Sequence, residues 1–315
     1  PRAYEAASAA KYRECTYDVV HVNQTHCWLA AREQLRQRRP GVLVQRSHGW
    51  EPRAEETLKE WRRVFGLRDR QGWRAVPGWF VDLRLAQHAR WSVRHAAGTI
   101  VSCSQDRDYL LAAYGVPGER VACIPQAAAP VFRQTPPAPW SPARLKHLLY
   151  VGNFSYAKGI HAVGQAAATL LAGDPEATFT WIVPAADRES ALGTFPPAVR
   201  SRVRAEPWTS QAELAHVYDR HGVFLFPSLF EGFGKVFLEA MARGLCVVGT
   251  PTGGMRDVLR PGENGALVPF NSAADVVAAV RNWWNNPEHA ARISAAAAQT
   301  AAEYSWERVG AETES

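Results

Sequence analysis

From Thr16 onward, short runs of apolar and β-branched residues alternate with helix-length segments, and this alternation restricts the fold more than any other property of the chain. Strands separated by 10–15-residue helical patterns are the mark of βαβ units, so the pattern calls for an α/β protein built on parallel sheets. In the first half, strands are expected at 18–23, 42–46, 99–102 and 121–125, with helices over 54–65 and 104–114. In the second half, strands are expected at 147–152, 178–183, 203–206, 223–227, 246–249 and 266–268, with closing helices over 273–285 and 287–304.

A chain of 315 residues is long enough for two such sheets, and its 47% hydrophobic and 21% charged content excludes a disordered or collagen-like chain. Between them lies a stretch with Pro130, Pro136, Pro137, Pro139 and Pro142, which blocks helix interiors and central strands. It sets the expected boundary between a first domain, 1–143, and a second, 144–315. The halves also differ in charge. Residues 1–148 carry 23 basic and 13 acidic side chains, a net of +10, whereas 149–315 carry 13 and 17, a net of −4. Cys15, Cys27, Cys103, Cys123 and Cys246 show no paired metal-ligand or disulfide spacing, which points to a reducing cytoplasm. No apolar run approaches the roughly 18 residues that span a bilayer.

The glycines at 232, 234, 244, 253, 254, 262 and 265 cluster at strand-to-helix turns, where open α/β sheets place their ligand crevice. The most informative stretch runs from Pro227 to Ala242: an apolar strand ends, a glycine-rich loop follows, and a helix begins near Lys235. Gly232 and Gly234 allow close approach of the backbone to a ligand, and unpaired N–H groups at the helix start favour an anion such as a diphosphate. Glu231 and Glu239 bracket that position, and a carboxylate there is suited to accept hydrogen bonds from ribose or sugar hydroxyls. Taken alone, the pair is better read as an N-terminal helix charge, Glu231, and a surface residue, Glu239.

This segment resembles the E-x7-E signature of retaining glycosyltransferases of the GT-B fold, in particular glycosyltransferase family 4. Gly244–Thr250, Gly253–Val258 and Gly262–Val268 continue the similarity in order and spacing, and Leu149–Phe154 with Ala157–Ile160 resembles the opening of that family's donor domain. Weaker likenesses in the first half are Asp18–His21, Ser47-His48-Gly49, Val101–Ser104 and Ile124-Pro125. The resemblance implies two Rossmann-like parallel-sheet domains facing a central cleft, and retaining transfer of a sugar from a nucleotide-diphosphate sugar to a glycan or lipid-linked acceptor. It implies catalytic roles for His48 and Glu231. Donor binding would fall to Gly152, Asn153, Lys158, Phe233, Gly234, Lys235 and Glu239, with Lys158 on the diphosphate and Glu239 on the ribose. No cofactor or metal is expected. Asn153 stands where the family has Arg, and nothing before Thr16 resembles the family's opening strand and glycine-rich loop, so the first domain is expected to be incomplete at its start. These departures motivate a competing reading, a catalytically impaired sugar- or nucleotide-binding protein or fragment. A nicotinamide oxidoreductase is disfavoured because no G-x-G-x-x-G follows a strand.

Two further signals have alternatives. Asp106-Arg107-Asp108 has the form of a metal-binding D-x-D, yet it follows Ser104 at a helix start, where Ser as N-cap and acids in the first turn give a capping reading. The segment 50–94 interleaves Trp50, Trp61, Trp73, Trp79 and Trp91 with ten Arg or Lys. It reads either as helix packing with a solvated basic face, or as a surface for an anionic acceptor or the inner face of a membrane. No nucleic-acid motif is present.

Overall fold

A computed structural model describes residues 10, 17–23, 27–37, 41–67 and 78–315. The expected absence of an opening strand before Thr16 concerns residues outside the described set, as do Trp73 and the side chain of Trp79. The described chain forms two compact units. One comprises residues up to Pro125 together with Glu231–Phe233, and the other Gln126–Phe230 with Gly234–Ser315.

In the first unit, β1 (Val19–Asn23), β2 (Val42–Arg46), β3 (Gly98–Val101) and β4 (Val121–Cys123) pair in parallel and in simple chain order. The expected strands recur to within two residues at either end. The core joins β3 and β4 to the helices Gly78–His95 and Ser104–Tyr114 through Trp50, Ala89, Val93, Val101, Leu110, Val116 and Val121. Trp50 is fully buried and meets Tyr114 edge-on at 5.9 Å, so this tryptophan of the basic aromatic segment serves packing.

In the second unit, β5 (His147–Val151), β6 (Thr178–Val183), β7 (Val203–Pro207), β8 (Val223–Phe226), β9 (Cys246–Gly249) and β10 (Ala266–Leu267) form a parallel sheet in the order β10-β9-β8-β5-β6-β7. Its inner strands are largely apolar and buried, with Thr180 of β6 a buried polar exception, as expected for a parallel sheet covered on both faces. The chain builds outward from β5 to β7 and then returns to place β8 on the other side of β5. The reversal therefore lies between the neighbouring strands β5 and β8, and the C-terminal ends of such a pair are where open α/β sheets bind ligands.

The proline-rich stretch belongs to the second unit, so the boundary falls after Pro125 and not after residue 143. Stiffness did not make it a linker. The guanidinium of Arg243, only 2% exposed, donates to the carbonyls of Thr135 at 2.8 Å and Pro136 at 3.1 Å and to both carboxylate oxygens of Asp219 at 2.8 and 2.6 Å. Proline carbonyls keep their acceptor capacity, and a buried arginine requires partners for its five N–H donors. Among the described residues, no helix is long and apolar enough to cross a membrane.

Candidate functional site

The turns that leave β5 and β8, with the helix that follows β8, carry Gly152, Asn153, Lys158, Gly234, Lys235 and Glu239. Gly152 follows β5 directly; a Cβ there would lie 2.7 Å from the Tyr150 hydroxyl, which itself donates to the Asn153 carbonyl at 3.1 Å. Asn153 is exposed. One turn of 3₁₀ helix, Tyr156–Lys158, then ends at Gly159, which adopts φ 69°. A Cβ at Gly159 would lie 2.0 Å from the Pro227 carbonyl oxygen, so only glycine lets this turn close on the loop that leaves β8. The Ala157 carbonyl accepts from Leu229 N at 2.9 Å and Phe230 N at 3.4 Å, which fastens the two segments together. Lys158 is thereby held at the sheet's reversal, its Nζ 5.9 Å from the ring centre of Phe226 at the end of β8.

The β8 loop leads into the helix Lys235–Ala242 through Gly234, whose φ of 89° is again left-handed. Lys235 is exposed at the first helical position. Glu239 is 8% exposed and accepts a hydrogen bond from the fully buried Tyr218 hydroxyl at 3.2 Å. Burial raises the Glu239 carboxyl above the usual carboxylate range, while the Tyr218 hydrogen bond and the charge of Lys235 act against that rise. The surface reading of this glutamate is thus incorrect. Its aliphatic neighbours in the helix face the core and carry it inward.

His48 and Glu231 fall within the first unit. His48 occupies the exposed turn after β2, and a Cβ on Gly232 would lie 1.8 Å from the His48 carbonyl oxygen, so the glycine permits direct contact between that turn and residues 231–233. Glu231 is 5% exposed, and its carbonyl accepts from Arg53 Nη2 at 2.9 Å. The other side of Arg53 engages Asp106: Nε donates to Oδ1 at 2.6 Å, while Trp50 N donates to Oδ2 at 3.0 Å.

That arrangement corrects the capping reading of the D-x-D. Cys103, not Ser104, is the N-cap residue, and Asp106 is fully buried in an ion pair with a helix more than fifty positions upstream. Burial raises its carboxyl and the Arg53 charge pulls it back down. Among the described residues, no group of three or more His, Cys, Asp or Glu is placed to hold a metal ion.

Sequence reasoning did not identify Tyr218 or Arg53. Each reaches its partner across a separation that no local motif spans. Gly159 was legible only as the residue after Lys158.

Comparison with known proteins agrees with the fold. The profile described as "Glycosyltransferase Family 4" matches residues 2–128 and that described as "Glycosyl transferases group 1" matches 145–286. A D-inositol 3-phosphate glycosyltransferase of Thermobispora bispora is 29% identical over 96% of this chain and 70% of its own length. D-inositol 3-phosphate glycosyltransferase 1 of Catenulispora acidiphila is 30% identical over 92% and 69%. Among solved structures, the sucrose-phosphate synthase of Thermosynechococcus elongatus aligns with a TM-score of 0.74 at 21% identity, covering 99% of this chain and 75% of that one. HepE from Anabaena, solved with UDP and glucose, aligns with a TM-score of 0.70 at 17% identity, covering 98% and 78%. With the α/β architecture of two parallel sheets and these relatives together, the chain belongs to glycosyltransferase family 4 and is a glycosyltransferase of the GT-B fold.

Proposed function

We propose that the chain is a retaining transferase whose donor is a nucleotide-diphosphate sugar and whose acceptor is a glycan or lipid-linked sugar. The observation that carries the reading is the reversal of the sheet at β5 and β8: Lys158 lies in the turn after the first of these strands, and the helix Lys235–Ala242, with Glu239, follows the second. Glycosyl transfer develops negative charge on the departing diphosphate, and a lysine with helix-end N–H groups is matched to that charge without a metal ion. In this reading Lys158 neutralises the diphosphate and Glu239 holds the ribose hydroxyls. Glu231, with the backbone of Phe233 and Gly234, binds the donor sugar and leaving phosphates, and His48 reaches the sugar. Gly152 and Asn153 border the phosphates; an amide at 153 supplies a neutral donor. That HepE has been solved with UDP supports a nucleotide donor.

The relatives' names favour a second acceptor class, a small phosphorylated polyol, and the +10 net charge of residues 1–148 suits any anionic acceptor. The first half also supports a peripheral membrane contact. Among the described side chains, the helix Gly78–His95 exposes Leu83, Arg84, Gln87, Arg90, Trp91 and Arg94 along one stripe, with Leu83 49% and Trp91 38% exposed. Arginines beside an exposed Trp and Leu fit an anionic bilayer surface.

Calorimetry with UDP and GDP tests the donor reading. Glu239→Ala should weaken binding of the preferred nucleotide. Lys158→Ala should cost about tenfold or more for the diphosphate, and less for the nucleoside. Absence of nucleotide-diphosphate binding by the intact chain would sink it, and turnover with a panel of acceptors separates an active enzyme from a binding protein.

A further inference from the structure

Glu239 is held from behind by a residue that neither the sequence motif nor the donor reading assigns. Tyr218 lies in the helix Gln211–Asp219, fully buried, with its ring edge-on to Phe132 at 5.7 Å and to Phe224 at 5.9 Å. These contacts fix the ring, so the hydroxyl has one accessible position. It sits 3.2 Å from Glu239 Oε2 and 3.3 Å from the Val236 carbonyl oxygen, both on the Lys235–Ala242 helix. The hydroxyl has a single proton, and an ionised carboxylate is a stronger acceptor than a carbonyl, so that proton goes to Glu239.

We propose that Tyr218 is a positioning residue: its hydroxyl holds the Glu239 carboxylate in the orientation that receives the ribose hydroxyls of the donor nucleotide. The proposal rests on the reading that Glu239 is the ribose-binding group. An ionised carboxylate offers about four lone-pair sites. Tyr218 occupies one on Oε2, so the carboxylate keeps acceptor capacity for two ligand hydroxyls. Without that anchor, a glutamate on a short helix has three side-chain torsions to order when nucleotide binds. With it, the orientation is set before the ligand arrives, and affinity rises because less freedom is lost. Burial penalises the charged carboxyl, and the same hydrogen bond offsets that penalty.

Tyr218→Phe removes one oxygen and keeps the ring contacts. Affinities of wild type and variant are measured by calorimetry for whichever of UDP and GDP binds the wild type more tightly, and for its 2′-deoxy and 3′-deoxy forms. The wild type should prefer the ribose form. Tyr218→Phe should lose about tenfold for that form and less than about twofold for the deoxy form lacking the contacted hydroxyl. A general loosening of the fold would weaken both alike. Glu239→Gln should reproduce the loss of preference, and adding Tyr218→Phe to it should cost little more, since the two act as one unit. Equal losses for ribose and deoxy forms, or full affinity in Tyr218→Phe while the wild type discriminates, would overturn the role of Tyr218 alone. A wild type that binds the diphosphate but ignores the ribose hydroxyls would overturn the role of Glu239 as well.

Discussion

Gly159 offers the most direct test of how the turns leaving β5 and β8 fit together and of the proposed donor site. In Gly159→Ala the new methyl would lie 2.0 Å from the Pro227 carbonyl oxygen, more than 1 Å inside the ordinary carbon–oxygen contact of roughly 3.3 Å. The obstruction is backbone on both sides, so no side chain can swing away. Relief requires the 156–158 turn and the 227–230 loop to part, which gives up the hydrogen bonds from Leu229 N and Phe230 N to the Ala157 carbonyl. Each is worth about 1 kcal/mol net, and an alanine held at φ 69° adds about 1–2 kcal/mol of left-handed strain. The expected destabilisation is about 3–4 kcal/mol, read as a lowered urea midpoint at unchanged slope. Gly262→Ala is the control: its φ is 79° but nothing lies within 4 Å of the added methyl, so only the strain of about 1–2 kcal/mol should appear. Any folded fraction of Gly159→Ala should bind the nucleoside better than the diphosphate, because Lys158 moves with the turn. Equal midpoints for the two variants, with diphosphate affinity intact, would refute this account of how the turns fit.

Two further outcomes follow from buried and exposed histidine and arginine chemistry. His221 donates from Nδ1 to the Val217 carbonyl at 2.7 Å and accepts at Nε2 from the Thr180 hydroxyl at 2.8 Å, and burial lowers its pKa from 6.5 to about 4. Between those values the unfolded chain binds the extra proton, so stability is lost as the pH drops from 6.5 towards 4, by about 3 kcal/mol at pH 4; His221→Gln should flatten this limb in urea melts, and an unchanged slope would contradict it. The chain should float with phosphatidylglycerol-rich vesicles but not with phosphatidylcholine alone, and Arg90→Glu with Arg94→Glu, or high salt, should abolish flotation. Flotation unaffected by the charge reversal would dismiss the arginine stripe as the contact.

The central strands of the second sheet were legible because a parallel strand buried on both faces is a near-continuous apolar run, as in Leu148–Val151 and Val223–Phe226. The helix Gly78–His95 was not, because its outward stripe mixes Leu83 and Trp91 with arginines and blurs the period that marks an amphipathic helix. Asp106 misled for another reason: an acid in a first turn is ordinarily a solvated dipole partner, and only the arrival of Arg53 from a distant helix makes it a buried ion pair. The proline-rich stretch was judged by its stiffness, whereas its carbonyls, captured by Arg243, decided its place.

Local periodicity and turn chemistry determine that this chain makes alternating strands and helices, and the E-x7-E spacing with its glycines carries the resemblance to glycosyltransferase family 4. Neither says which strands are neighbours. That β8 returns beside β5, and not beyond β7, is a matter of long-range pairing. Only this reversal brings the turns that leave β5 and β8 side by side, where the Ala157 carbonyl joins them. Only the packing of the following helix turns Glu239 inward onto Tyr218, because burial and hydrogen-bond partners are properties of residues far apart in the chain.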